Sequence, residues 1–225
     1  MENKTALIVG ATGLVGRQLL DVLLKNDYYH QILIVSRRTV GVKDNRIKEL
    51  IINFDSFDDF KDQISANDYY CSIGTTMKQA GSKEEFLKID YSYPIKLAQH
   101  ALKDPNFQQF LLVSSYGANS KSSLFYNEVK GKTEEALKEM NLKKLLIFQP
   151  SLLLGYRKDF RLLEEMAKLL STILSFFIIG TRLRFWAIKG LEVAKAMFVV
   201  AKRKESPGVH VYKPLQMLKI SANDN

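Results

Sequence analysis

Ile8-Val9-Gly10-Ala11-Thr12-Gly13-Leu14-Val15-Gly16-Arg17 is the stretch whose reading decides the fold. The apolar run Ala6-Leu7-Ile8-Val9 leads into it, and the amphipathic stretch from Leu14 to Leu24 leads out. Strand, tight glycine turn, helix is the context in which a weak glycine pattern becomes a dinucleotide-binding signature. Gly10 lets the backbone turn sharply, Gly13 admits a pyrophosphate against bare main chain, and Gly16 lets the helix pack on the strand. Unpaired N–H groups at the start of the helix, where Leu14 and Val15 stand, face the phosphates from the positive end of the dipole. Three glycines that merely turn a loop are the plainer alternative, and the flanking strand and helix argue against it.

Outward from this turn, strands and helices alternate over the first 150 residues, the pattern of βαβ units on a parallel sheet. Strands are expected at 5–9, 31–36, 48–53, 68–73, 107–114 and 144–149, with helices at 14–25, 83–102, 124–140 and 160–178. The helix at 83–102 should break near Tyr93-Pro94, because proline cannot donate to the preceding turn. A helix at 191–202 and a short strand at 209–212 follow. The fold class is α/β: a Rossmann-type doubly wound parallel sheet with a small C-terminal lobe. We expect one domain over 1–219, with 150–219 contributing the lobe and 220–225 forming a disordered tail without apolar periodicity.

Bulk properties agree. With 225 residues and 46% hydrophobic content, one sizeable core is expected. The single cysteine, Cys71, excludes an intrachain disulfide and Cys-rich metal clusters, and its apolar context suggests an inert thiol. His30, His100 and His210 are scattered without ligand spacing, so no metal is expected. The start of the chain carries no charged-then-apolar leader, which points to the cytoplasm. The apolar run at 169–179 is shorter than the roughly 20 residues of a membrane span. Net charge is +9, and seven basic residues stand against Glu192 alone between Arg182 and Lys204. No zinc, recognition-helix or RNA-binding signature accompanies them, so the charge suits an anionic cofactor and substrate better than nucleic acid.

The second strand ends in Ile34-Val35-Ser36-Arg37-Arg38. An NAD-preferring site places Asp or Glu here to accept from the ribose 2′-hydroxyl. Two arginines instead fit a 2′-phosphate, which a guanidinium grips through parallel charge-assisted bonds. NADP(H) is therefore the expected cofactor, with Arg37 and Arg38 on the phosphate and Thr12 or Arg17 as helpers. Asp55, after the third strand, either accepts from the adenine amine or caps the next short helix. After the fourth strand, Ile73-Gly74-Thr75 lets main chain run close to the cofactor, with the threonine available to the ribose.

The fifth strand leads into Ser114-Ser115-Tyr116-Gly117, and Tyr126-Asn127-Glu128-Val129-Lys130 follows. Tyr126 and Lys130, at i and i+4, project from one helix face. A lysine ammonium stabilises a phenolate, which makes a tyrosine a usable general acid/base, and a nearby serine can polarise a substrate carbonyl. Ser115 is the first candidate and Ser114 the second. Ser122 and Ser123 read as loop and helix-cap residues.

These motifs, with Cys71-Ser72-Ile73-Gly74-Thr75-Thr76 and Lys78-Gln79-Ala80-Gly81, resemble the Tat-interacting oxidoreductase branch of the atypical short-chain dehydrogenases/reductases, whose fold is nucleoside-diphosphate-sugar-epimerase-like. The resemblance runs from the first strand to about Arg161. It implies that Arg37, Arg38, Ile73, Gly74, Tyr126, Lys130, Leu153 and Arg161 line an NADPH site. One departure stands out: the family's Arg-Pro-Gly after the sixth strand is Gln149-Pro150-Ser151 here.

An NADPH-dependent oxidoreductase acting on a small carbonyl compound is the leading expectation, with Tyr156, Phe160 and Trp186 walling the substrate pocket. The alternative is an NADPH-binding sensor or scaffold whose basic C-terminal lobe meets a protein partner. A basic protein associated with membranes or nucleic acid is the third reading, and it would bind without regard to NADPH.

Overall fold

The computed structural model describes residues 4–154, 187–203 and 205–223. Its main sheet has seven parallel strands in the order β3-β2-β1-β4-β5-β6-β9. They are β1 (Thr5–Val9), β2 (Gln31–Ser36), β3 (Ile47–Ile51), β4 (Asp68–Cys71), β5 (Gln109–Val113), β6 (Lys144–Phe148) and β9 (Gly208–Tyr212). The order reverses between β1 and β4, so the crevice of a doubly wound sheet opens at the carboxyl ends of these two strands. A second, two-stranded parallel sheet pairs β7 (Leu152–Leu154) with β8 (Ala187–Lys189).

Strand alternation divides the core into two layers. Ala6, Ile8, Ile32, Ile34, Tyr70, Leu111 and Leu146 face one side, against α1 (Leu14–Leu24), α6 (Gly190–Lys202) and α7 (Pro214–Ala222). Leu7, Val9, Leu33, Val35, Tyr69, Cys71, Leu112 and Ile147 face the other. That side is covered by a 3₁₀ segment (Phe54–Gln63), α4 (Tyr93–Ala101) and α5 (Phe125–Glu139). Both faces are apolar because helices cover both, which is why the strands read as continuous hydrophobic runs.

The expected helix at 83–102 does not break at Tyr93-Pro94; its backbone stays helical from Lys83 to Ala101 and widens by one π-helical turn. Short helix α2 (Met77–Ala80) precedes α3 (Lys83–Leu87), a wide turn spans Lys88–Ser92, and α4 follows. Pro94 sits in the first turn of α4 and lacks the N–H that would otherwise bond to the Asp90 carbonyl one turn back. That carbonyl instead accepts from Thr133 Oγ1 at 2.9 Å, which ties the turn to α5.

One expectation about the C-terminal third needs correction. The tail is not disordered from residue 220: α7 runs through Ala222, with Ile220 and Ser221 buried. Pro214 starts this helix, and Met217 and Ile220 form its apolar stripe against α6. Of the expected lobe, α6, β9 and α7 are built into the main layers, and residues 155–186 lie outside the described ones. Among the described residues no helix is long and apolar enough to cross a membrane.

Candidate active site

The glycine turn has the geometry its spacing predicts. Gly10 adopts φ +92°, and a Cβ on it would lie 2.6 Å from the Ser72 carbonyl group. A Cβ on Gly16 would lie 2.2 Å from Gly10 O and 2.6 Å from Ser72 Oγ, so α1 starts hard against β1 and β4. Gly13 donates its N–H to Gly10 O at 2.9 Å and closes the turn. No side chain caps α1, and its first turn holds no acidic residue. The N–H groups of Leu14, Val15 and Gly16 therefore lack intrahelical acceptors and meet a bare backbone cradle that fits a pyrophosphate. Thr12 is exposed at the lip.

Arg37 and Arg38 are exposed beyond β2, and among the described residues neither guanidinium has a hydrogen-bonded or ion-paired partner. Ser36 Oγ donates to Arg38 O at 2.7 Å and shapes this loop. Arg17 is committed to Val40 O through Nη1 at 2.5 Å. Asp55 does not cap the 3₁₀ segment; Asn53 does, its side chain accepting from Asp55 N at 3.3 Å. The Asp55 carboxylate instead meets Lys88 Nζ at 2.7 Å and Tyr93 Oη at 2.9 Å. The hydrogen bond from Lys88, then that from Tyr93, hold its pKa below the usual carboxylate value.

On the other side of the crevice, Tyr126 and Lys130 stand one turn apart on α5. Tyr126 is 39% exposed, with its ring 5.8 Å from Phe86. Lys130 is buried, and its Nζ lies 3.5 Å from where a Gly74 Cβ would be, so the ammonium abuts the loop after β4. Asp90 Oδ1 lies 2.7 Å from Lys130 Nζ, and Asp90 Oδ2 accepts from Thr75 N at 2.8 Å. Burial pulls the lysine pKa down, but Asp90 and then Tyr126 outweigh it and hold it above the ordinary value. Cys71, beneath this site, is inert: burial pushes its thiol up to about 12.

Ser114 and Ser115 differ sharply. Ser114 is buried and donates to Glu134 Oε1 at 2.5 Å. Glu134 also accepts from Gln149 Nε2 at 2.9 and 3.0 Å and pairs with Lys138 at 3.4 Å. Gln149 thus binds the buried carboxylate with a neutral amide. Ser115 Oγ has only a 3.4 Å contact with Tyr116 O, and Ser122 Oγ accepts from Leu124 N in the loop. Leu153 packs on the core from β7, whereas Arg161, Tyr156, Phe160 and Trp186 lie outside the described residues.

Sequence reading missed Asp90, Glu134 and Tyr116. Tyr116 presents a ring 55% exposed beside Ser115. An acidic residue on the otherwise buried face of a helical stretch was the available signal for Asp90. Among the described residues no group of His, Cys, Asp and Glu is arranged to hold a metal ion.

Residues 6–142 match the NAD dependent epimerase/dehydratase family. The chain belongs to this family. Protein HTATIP2 of Rattus norvegicus is 31% identical over 172 residues, covering 75% of this chain and 70% of that protein. Protein FMP52-1, mitochondrial, of Scheffersomyces stipitis is 32% identical over 225 residues, covering 96% and 98%. Among solved structures, the Bordetella bronchiseptica enzyme WbmF in complex with NAD+ superposes with a TM-score of 0.67 at 12% identity, covering 99% of this chain and 80% of that one. MoeE5 in complex with UDP-glucose and NAD gives 0.68 at 13% identity, covering 98% and 81%. At these identities the structures share the fold alone. The motif-based resemblance is borne out: this is an epimerase/dehydratase-family chain with a nicotinamide-dinucleotide-binding Rossmann fold.

Proposed function

We propose that the chain is an NADPH-dependent oxidoreductase that reduces a carbonyl or similar small electrophile. Tyr126 acts as general acid/base, Lys130 as its electrostatic partner and ribose anchor, and Ser115 as the donor that polarises the carbonyl oxygen. The observation that carries this reading is an exposed phenol on α5, one turn before a buried ammonium lying against the loop after β4. A bound nicotinamide supplies hydride. The chain's own residues handle the proton. Ser115 donates to the carbonyl oxygen as negative charge gathers there, Tyr126 gives that oxygen its proton, and Lys130 stabilises the phenolate left behind. Water then reprotonates Tyr126.

The cofactor preference is supported by Arg37 and Arg38, which stand exposed where an NAD site needs an acidic acceptor. Titration with NADPH and NADH, followed by nucleotide fluorescence, tests it. Wild type should prefer NADPH, and Arg37→Ala/Arg38→Ala should weaken NADPH binding by about two orders of magnitude, as expected for charge-assisted bonds. Tyr126→Phe should bind NADPH nearly as wild type does, yet lose roughly 10³-fold in turnover across a panel of aldehydes, ketones and quinones. Failure of the wild type to bind either nucleotide overturns the proposal. Tight binding with no turnover of any carbonyl favours a nucleotide-sensing role instead.

A further inference from the structure

Asp90 has no part in the chemistry just described, yet its acceptor groups all serve the site. It lies in the wide turn between α3 and α4 and is 1% exposed. Its Oδ1 meets Lys130 Nζ at 2.7 Å, and its Oδ2 accepts from Thr75 N at 2.8 Å. Its backbone oxygen, released by Pro94, accepts from Thr133 Oγ1 at 2.9 Å. Lys130 and Thr133 share one face of α5, so side chain and backbone of one residue grip the same helix. A single turn thereby joins the loop after β4 to the helix that carries Tyr126.

We propose that Asp90 is a positioning residue whose carboxylate keeps the Lys130 ammonium charged and holds it between the loop after β4 and Tyr126. This role rests on the reductase reading of the site. The physical need is plain. A lysine buried without a counter-ion sheds its proton, because desolvation penalises the charged form. A neutral amine neither stabilises a phenolate nor attracts an anionic nucleotide. Among the described residues, the groups facing Lys130 Nζ are Asp90 from the wide turn, Tyr126 from α5 and Cys71 from β4. Burial pushes the Cys71 thiol up to about 12, so it brings no charge, and Asp90 is the carboxylate set against the ammonium at 2.7 Å.

Asp90→Asn tests this, because the amide keeps the shape and can still accept from Thr75 N while the charge is lost. Lys130 Nζ is followed by ¹⁵N NMR, assigned by comparison with Lys130→Met, and NADPH binding is followed by fluorescence between about pH 6 and pH 9. In wild type the ammonium should persist across the range. In Asp90→Asn, Lys130 should lose its proton within it, and NADPH affinity should fall about tenfold more than in wild type as pH rises, recovering at the acid end. A Lys130 that stays charged to the alkaline end in Asp90→Asn, with binding parallel to wild type, overturns the proposal. If Asp90→Asn does not fold, the wild-type titration decides: a neutral Lys130 near pH 7 is fatal to the idea, whereas a folded Asp90→Asn/Lys130→Met double variant supports it. Wild type that binds no NADPH overturns the reductase reading, and the NMR titration still reports on Asp90 separately.

Discussion

Ser114 and Ser115 are adjacent, yet the twist of the chain beyond β5 gives them opposite environments. Ser114 points inward to the buried Glu134, and Ser115 has only a long contact to Tyr116 O. Their substitutions should therefore separate stability from activity. Ser114→Ala removes a donor from a buried carboxylate and should cost about 1–3 kcal/mol in a denaturant melt, with folded protein still active. Ser115→Ala should leave the melt unchanged and lower kcat by roughly 10²-fold with any carbonyl that wild type turns over. Equal effects of the two on kcat would contradict this division. Tyr126 and Lys130 were legible because helical spacing is local. Asp90 and Glu134 were not, since Lys130 and Thr133 for the one, and Ser114 and Gln149 for the other, are partners from other elements.

Among the elements, the turn between β1 and α1 was legible to the residue, because close backbone approach admits glycine alone at Gly10 and Gly16. Gly16 and Gly13 carry different consequences. A methyl at Gly16 would meet a backbone carbonyl at 2.2 Å, which cannot move aside, so Gly16→Ala should destabilise the protein by about 3 kcal/mol or more. A methyl at Gly13 would meet Gly10 O at 3.1 Å and Ser72 O at 4.0 Å, looser contacts than those at Gly16, and would stand at the start of α1 where the cradle lies. Gly13→Ala should therefore fold with a near-normal melting temperature but bind NADPH at least about tenfold more weakly, a loss of roughly 1.4 kcal/mol. Normal binding by Gly13→Ala would remove the cradle from the phosphate site. The break expected at Tyr93-Pro94 does not form, and the wide turn at Lys88–Ser92 that stands in its place was not legible. What a proline sets free depends on which neighbour claims the orphaned carbonyl, and Thr133 on α5 is distant in sequence. The pairing of β7 with β8 was hidden for a similar reason, because three-residue strands carry no periodic signal.

The whole molecule divides its labour between the two ends of the sheet. The carboxyl ends carry the glycine turn, Gly74, Ser115 and the start of α5, the groups proposed above to meet ligands. The opposite end buries a polar cluster that serves none of them. Asp68, at the start of β4, accepts from Tyr29 Oη at 2.5 Å, and Tyr29 and Tyr70 hydroxyls lie 2.7 Å apart. Asp68 Oδ1 and Gln109 Oε1 are both buried without a hydrogen-bond donor, and the two residues are register neighbours on β4 and β5. Burial raises the Asp68 pKa, and the opposing Tyr29 hydrogen bond and Lys4 charge do not cancel it. A carboxyl group whose folded pKa is raised contributes stability below its unfolded value and loses it as pH rises through the folded value. Ionised Asp68 therefore weighs against the fold at neutral and alkaline pH. Asp68→Asn keeps an acceptor for Tyr29 and turns an N–H toward Gln109 Oε1, so one substitution removes the buried charge and both orphaned acceptors. It should raise the melting temperature near pH 8 by about 2–4 °C, the shift expected of roughly 1 kcal/mol in a chain of this size. The gain should shrink as pH falls toward the carboxylate range, where wild-type Asp68 takes up its own proton. A gain of equal size at every pH would mean that hydrogen bonding rather than charge sets the cost, and a loss near pH 8 would mean that the carboxylate is held by partners strong enough to outweigh its burial.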